Sequence, residues 1–305
     1  MPSEFEIIRR YFSRPARHTL LGVGDDAALL RPDAGAALAV STDLLLEGRH
    51  FARGAPPRAL GHKALAVNLS DMAAMGATPH WATLALALPA ADDAWIAAFA
   101  EGFYALAARF EVDLVGGDTT RGPLCICVTI LGEVPPGLAL MRGGARPGDD
   151  IWVSGELGGA AYALLRPGSA AAAKRLHEPE PRVALGERLR GVATAAIDVS
   201  DGFAQDLGHI LERSGAGAVV HYALLPRFPI DDPALEQRCV LAGGDDYELA
   251  FTAPQSARAE IAALAGVLGV ALARVGSIQS GEPKLQLLDA QGRPMAVAAG
   301  YDHFA

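Results

Sequence analysis

The residues that could do chemistry in this chain are aspartates, and their placement follows a pattern. Five times a strand-like or glycine-bearing segment runs directly into the acid: Gly24-Asp25-Asp26, Ser41-Thr42-Asp43, Gly117-Asp118-Thr119, Asp198-Val199-Ser200-Asp201 and Gly244-Asp245-Asp246. A sixth, Asn68-Leu69-Ser70-Asp71, falls inside a helical pattern. In open α/β sheets, ligands collect at the carboxyl ends of strands, where loops converge. Acids gathered there repel one another unless cations stand between them. Oxygen-only ligands select hard ions such as Mg2+, which bridge carboxylates to substrate phosphates. The pattern implies a phosphoryl-transfer site with several Mg2+ ions. Aspartate at a strand end is equally an ordinary helix cap or turn former, and Asp201 before Gly202 fits that role as well.

Other templates fail. No GxxxxGK[ST] phosphate loop is present, and no HExxH or CxxC pair offers a zinc site. Gly22-Val23-Gly24-Asp25-Asp26-Ala27 fits GxGxxA, yet two carboxylates would stand where a pyrophosphate should rest. Ser154-Gly155-Glu156-Leu157-Gly158-Gly159 opens a helix and has two readings, an anion cradle or a tight strand-to-helix packing.

The elements that must position these acids alternate short apolar runs with longer helical ones, a mixed α/β layout. In the first half the patterning predicts strands at Ala37–Thr42, Trp81–Leu88, Val112–Val115 and Leu124–Val134. Helices are predicted at Pro57–Ala74 and Ala94–Phe110. The Pro- and Gly-rich stretch Pro135–Asp150 breaks the pattern and marks a boundary. It divides an N-terminal domain (1–136) from a C-terminal one (150–305), with 137–149 as linker. Beyond it the patterning predicts strands at Ile151–Ser154, Ala195–Val199, Ala218–Tyr222, Tyr247–Thr252, Ala271–Ile278 and Lys284–Leu288. Helices are expected from Ala160, at Phe203–Arg213 and near Ser256–Leu268.

Composition bounds the class. In 305 residues, 26 basic against 35 acidic side chains leave a net charge of −9, which disfavours nucleic acid as a partner. A hydrophobic share of 51% excludes global disorder. There is no uninterrupted apolar run of membrane-spanning length, nor a signal-peptide layout at the N-terminus. The three cysteines form no disulfide framework. Cys125 and Cys127, two apart on one predicted strand, should face one side as buried thiols. Together these features predict a cytoplasmic protein.

Taken in order, the blocks GVGDDAAL (22–29), STD (41–43), KALAVNLSDMAAMGA (63–77), GGDTTRGP (116–123), IDVSDG (197–202), GGDDYEL (243–249) and GYDHF (300–304) resemble the thiamine-monophosphate kinase family nearly end to end. That family belongs to a superfamily with aminoimidazole ribonucleotide synthetase and selenophosphate synthetase. The resemblance implies two mixed α/β domains, an N-terminal domain that forms the dimer sheet or barrel of a homodimer, and ATP near the cleft between domains. It implies ATP-dependent phosphorylation of thiamine monophosphate to thiamine diphosphate. By motif position it assigns Mg2+ to Asp26, Ser41, Thr42, Asp43, Asp71, Asp118, Asp198 and Asp201. ATP falls to Gly117, Asp118, Arg142 and Ser200, and thiamine monophosphate to His50, Asp245 and Tyr301. Where the family often carries Glu, this chain has Asp245, one methylene shorter. In the same block as Asp71, Lys63 and Asn68 are adequately explained as helix-surface and cap residues.

This assignment is physically coherent. The acceptor is itself a phosphate, so no enzyme nucleophile or strong base is required, and positioning with charge neutralisation suffices. ATP and a phosphomonoester together carry about six negative charges, which demand cations between them. A selenophosphate synthetase would call for a cysteine near the N-terminus, whereas the first here is Cys125. Another sister enzyme, or a nucleotide- and metal-binding protein without turnover, remains the alternative reading.

Overall fold

The computed structural model describes residues 3–296 and residue 300. They form two compact units, one of residues 1–72 with 77–137 and the other of residues 73–76 with 138–305.

The first unit opens with α1 (Glu4–Ile7), continued by a wider helical turn over Ile8–Phe12. Two short strands follow, β1 (Thr19–Leu21) and β2 (Leu29–Leu30), which pair with each other. The main sheet is made by β3 (Ala37–Leu46), β4 (Thr78–Leu88), β5 (Asp113–Arg121) and β6 (Cys125–Val134) in the order β3-β6-β4-β5. Only β4 and β5 run parallel, joined through α3 (Asp93–Arg109); α2 (Pro57–Ala74) follows β3. Asp92 starts α3 by accepting the Ala94 and Trp95 N–H groups, two of the donors a helix start leaves unpaired. At Gly61 of α2 a Cβ would strike the Phe99 carbonyl, and at Gly102 of α3 one would strike that of Arg58. The two backbones therefore touch where neither residue has a side chain.

Burial along β6 alternates, with Ile126, Val128 and Ile130 in the core and Cys125, Cys127, Thr129 and Leu131 half exposed. The same alternation leaves Leu38, Val40, Leu44 and Leu46 of β3 exposed on that second face. Cys125 and Cys127 do share a side, as expected. They are not buried, because their side is the open one, where cross-strand neighbours are Leu46 and Leu44. Among the described residues the sheet ends at two edges, β3 and β5, and closes into no barrel.

The second unit is built on a six-stranded sheet ordered β12-β9-β11-β7-β10-β8. Its strands are β7 (Asp150–Ser154), β8 (Ala195–Asp198), β9 (Gly217–His221), β10 (Leu249–Ala253), β11 (Leu272–Gln279) and β12 (Leu285–Leu288). Only β12 and β9 are parallel. The helices are α4 (Gly159–Leu165), α5 (Ala170–His177), α6 (Val183–Arg188), α7 (Phe203–Ser214), α8 (Pro233–Ala242) and α9 (Arg258–Leu268). Helix α7 buries Phe203, Leu207, Ile210 and Leu211, a stripe at helical spacing, against Ile197 and Val199. Both fold-class expectations, mixed α/β and two such units, hold. Among the described residues no helix is long and apolar enough to cross a membrane.

Candidate active site

In the first unit, Ser41 and Asp43 lie two apart on β3 and so point to its covered side, where α2 presents Asp71. Ser41 Oγ donates to Asp71 Oδ2 at 2.5 Å. Burial, reinforced by the Asp71 charge, pushes the Asp43 carboxyl up to about 7. Thr42 points the other way, and its hydroxyl shares a hydrogen bond of 2.8 Å with Thr129 on the open face. Its side chain is thus not brought to the Ser41–Asp43–Asp71 group, and only its main chain runs beside it.

Lys63 and Asn68 of α2 are buried, not on the helix surface as expected, and the Asn68 amide donates to the Ala64 carbonyl at 3.0 Å. Helix α2 is buried on nearly all sides along this stretch, which takes both residues in with it.

Asp26, Gly117 and Asp118 come together around a cavity of about 500 Å³, lined also by Asp25, Val23 and the aromatic rings of Phe5 and Phe12. Gly117 has φ 144°, and a Cβ there would strike the Leu84 carbonyl of the parallel neighbour β4. The glycine lets the strand continue through Gly116-Gly117-Asp118, past a register shift between Leu114 and Gly116, and so carries Asp118 to the cavity wall. His50 sits in the turn after β3, where its Nδ1 accepts the Leu46 N–H at 3.0 Å. That bond puts the neutral ring's proton on Nε2.

In the second unit, the acid-bearing motifs IDVSDG and GGDDYEL lie side by side. Asp198 pairs with Leu249 across β8 and β10. The ladder continues past the strand ends: Val199 N–H donates to Glu248 O, Tyr247 N–H to Val199 O and Asp245 N–H to Ser200 O, at 2.8 to 2.9 Å. Asp201 is not the cap of α7; Gly202 holds that position with φ 120° and no side-chain bond. The capping work is done from inside by buried Asp206, whose Oδ2 accepts the N–H groups of Ser200, Asp201 and Gly202 at 3.0 to 3.1 Å. Burial outweighs these bonds and lifts the Asp206 carboxyl to about 7.

Two further acids of the second motif, Asp246 and Glu248, take roles that the sequence did not assign. Asp246 accepts the Gly158 N–H at the start of α4, so the glycine-rich turn there is filled by the protein's own carboxylate. Burial raises its pKa well above the ordinary value. Glu248 is buried under Gly155, accepts the Ser154 hydroxyl at 2.6 Å and takes Arg182 in a two-pronged pair at 2.5 and 2.6 Å. Arg142 is exposed. Tyr301 lies outside the described residues.

Among the described residues, no three histidine, cysteine, aspartate or glutamate side chains gather closely enough to hold a metal ion by themselves. Mg2+ does not ask for such a cage, since it keeps waters and takes one or two carboxylates plus substrate phosphates. The Asp43–Asp71 pair with the Ser41 hydroxyl, all oxygen and carrying like charge, fits that ion.

The arrangement defines a class. The chain matches the AIR synthase related protein N-terminal domain over residues 24–134 and the corresponding C-terminal domain over residues 146–287. It is 44% identical to the thiamine-monophosphate kinase of Escherichia coli K12 over 320 residues, 99% of this chain and 98% of that one. The crystal structure of thiamine-monophosphate kinase from Stenotrophomonas maltophilia K279a superposes with a TM-score of 0.86 at 46% identity, covering 95% of each chain. AaThiL complexed with AMPPCP and TMP gives 0.78 at 28%, covering 92% of each. Within the AIR synthase related proteins, the chain belongs to the thiamine-monophosphate kinase family.

Proposed function

We propose that this protein transfers the terminal phosphoryl group of ATP to the phosphate of thiamine monophosphate, forming thiamine diphosphate and ADP in the cytoplasm. The observation that carries the chemistry is the Asp43–Asp71 pair, two carboxylates held together at the covered face of β3 in a chain of this family. The complex of its relative with AMPPCP, an ATP analogue, and TMP supports the choice of substrates.

Asp26, Asp43, Asp71, Asp118, Asp198 and Asp201 hold several Mg2+ ions, with Ser41 and the Thr42 main chain completing the first unit's share. When bound, Mg2+ neutralises the charge of both phosphate groups. Gly117, Asp118, Ser200 and Arg142 bind ATP, while His50, Asp245 and Tyr301 bind thiamine monophosphate. An acceptor phosphate oxygen forms the new P–O bond in line as the β–γ bridging bond breaks, with no protein-bound phosphate. Residues 1–136 supply most of the acids, and residues 150–305 the rest.

A second copy of the chain covers the open face of β3 and β6. What supports this reading is the row of exposed apolar side chains along β3, Leu38, Val40, Leu44 and Leu46, of the kind that marks a protein–protein contact.

The test is direct. Protein, ATP, Mg2+ and thiamine monophosphate are incubated and thiamine diphosphate is quantified as its thiochrome. Product that requires both ATP and Mg2+ is expected; ATP turnover without thiamine diphosphate would move the substrate elsewhere in the superfamily.

A further inference from the structure

The loop Gly243–Tyr247 is the most constrained backbone beside the acids of the second unit. Among the described residues, three that are not glycine have positive φ, and two of them are here: Asp245 at 67° and Tyr247 at 51°. For an aromatic residue this conformation is a true outlier, costing about 1–3 kcal/mol and persisting only when the surroundings impose it. The surroundings do impose it. The N–H groups of both residues are tied to the Ser200 and Val199 carbonyls, and a Cβ on Gly244 would strike the Ser200 carbonyl. Glu248, the next residue, is clamped by Arg182 and Ser154. Within this strained loop the Tyr247 hydroxyl donates to Asp245 Oδ1 at 2.9 Å.

An aspartate has two side-chain torsions, and a half-buried one such as Asp245 still has more than one rotamer open to it. A phenol bonded to one carboxylate oxygen selects a single rotamer before any ligand arrives, which lowers the ordering cost of binding. We propose that Tyr247 is a positioning residue that presets the Asp245 carboxylate for a cationic, amino-bearing heterocycle, and so tunes affinity for the acceptor substrate and not for ATP. The inference rests on the assignment of thiamine monophosphate, whose thiazolium is cationic and whose pyrimidine carries an amine, as the substrate facing Asp245.

The experiment is a double-mutant cycle of Tyr247→Phe and Asp245→Asn in the full chain. It reads KM for thiamine monophosphate, KM for ATP, kcat and melting temperature. Tyr247→Phe removes one oxygen and leaves the backbone demand unchanged. The expected result is a rise of about tenfold in KM for thiamine monophosphate, the size of a lost hydrogen bond to a charged group. KM for ATP and the melting temperature stay as they were. In the double variant the Tyr247 effect disappears, because its partner is already altered. Equal rises in both KM values, a large fall in melting temperature, or full additivity in the double variant would each reduce Tyr247 to a structural role and overturn the proposal. If the unaltered protein makes no thiamine diphosphate, the substrate assignment itself has failed. That result is distinct from the others, and it removes the acceptor this inference names.

Discussion

Asp43 on β3 and Asp71 on α2 are two like charges brought together on the covered side of one sheet, with the Ser41 hydroxyl donating to the second of them. Such a pair is a cost to the folded chain until a cation lies between its members. Asp43→Asn should therefore raise the melting temperature of the metal-free protein at pH 8 while lowering kcat by at least about a hundredfold, the scale of losing one preorganised electrostatic group. The sign follows from linkage. A carboxyl lifted to about 7 holds its proton more tightly folded than unfolded, so its contribution is present at acid pH and lost as pH rises through 7. Thermal scans of both proteins in EDTA from pH 5 to 8 should show the gap opening upward. A gap that narrows with pH would contradict the pairing.

Asp206 carries the loop that bears Ser200 and Asp201. Asp206→Ala would leave three N–H groups without their acceptor, each worth about 1–3 kcal/mol when buried. Asp206→Asn keeps one oxygen in place and should retain more of both stability and Mg2+ response. A Mg2+ titration of activity for the two variants checks the order; equal loss in both would show that the acceptor geometry is immaterial.

The Arg182–Glu248 pair is buried on the glutamate side and two-pronged. Arg182→Ala should destabilise the protein by about 1–3 kcal/mol, the cost of a lost charged hydrogen bond, because buried Glu248 keeps only the Ser154 hydroxyl and a longer pair, 3.6 Å, with Arg175. Urea unfolding followed by tryptophan fluorescence measures it, and a change below about 1 kcal/mol would argue against this pairing.

On the acid side, the Arg258 hydrogen bond, with Arg274 behind it, holds the Asp150 carboxyl below its usual range. A lowered pKa contributes stability above the unfolded value, and that contribution is lost as pH falls through the folded one. Asp150→Asn should thus cost stability at pH 7 and progressively less toward pH 3. A deficit that persists unchanged in acid would point to packing instead.

Leu44 stands exposed at the centre of the open face of β3. Leu44→Lys should convert a dimer into a monomer in sedimentation velocity without unfolding the first unit. Dimers that survive the charge would place the interface elsewhere.

Much of the fold was legible because its signals are local. Helix α2 was read to its observed bounds, Pro57–Ala74, and the strands of both sheets, β5 apart, to within a few residues, since burial alternation and helical periodicity leave marks in sequence. The continuation of β5 through Gly116-Gly117-Asp118 was not read. Two glycines before an acid look like a turn, and only the Leu84 carbonyl explains why they are strand. Helix α8 was passed over although Asp232-Pro233 is a cap followed by a first-turn proline. Helix α6, at six residues, is too short to show a period. Of the site, the acids announced themselves by their positions before and after glycine. The roles of Asp246, Glu248 and Arg182 did not show, because their partners lie 66 to 94 residues away, and that of Asp206, though its partners are four to six residues off, was masked by its place in a helix. The one local hint, an acid in the first turn of α7, reads as an ordinary helix-start charge.

The bare contact between α2 and α3 bears on how variants of this protein will be misjudged. Gly61 lies ten residues before Asp71 on one rigid rod, roughly 15 Å along its axis. An alanine at Gly61 or Gly102 must wedge the rods apart, and the displacement travels intact to the far end, where Asp71 meets Asp43. In a screen scored only by product, such a clone would be filed with the lesions of the reaction centre. Its true fault is architectural, and a melting curve, lowered by the wedge but not by removing one of two like charges, would tell the two apart.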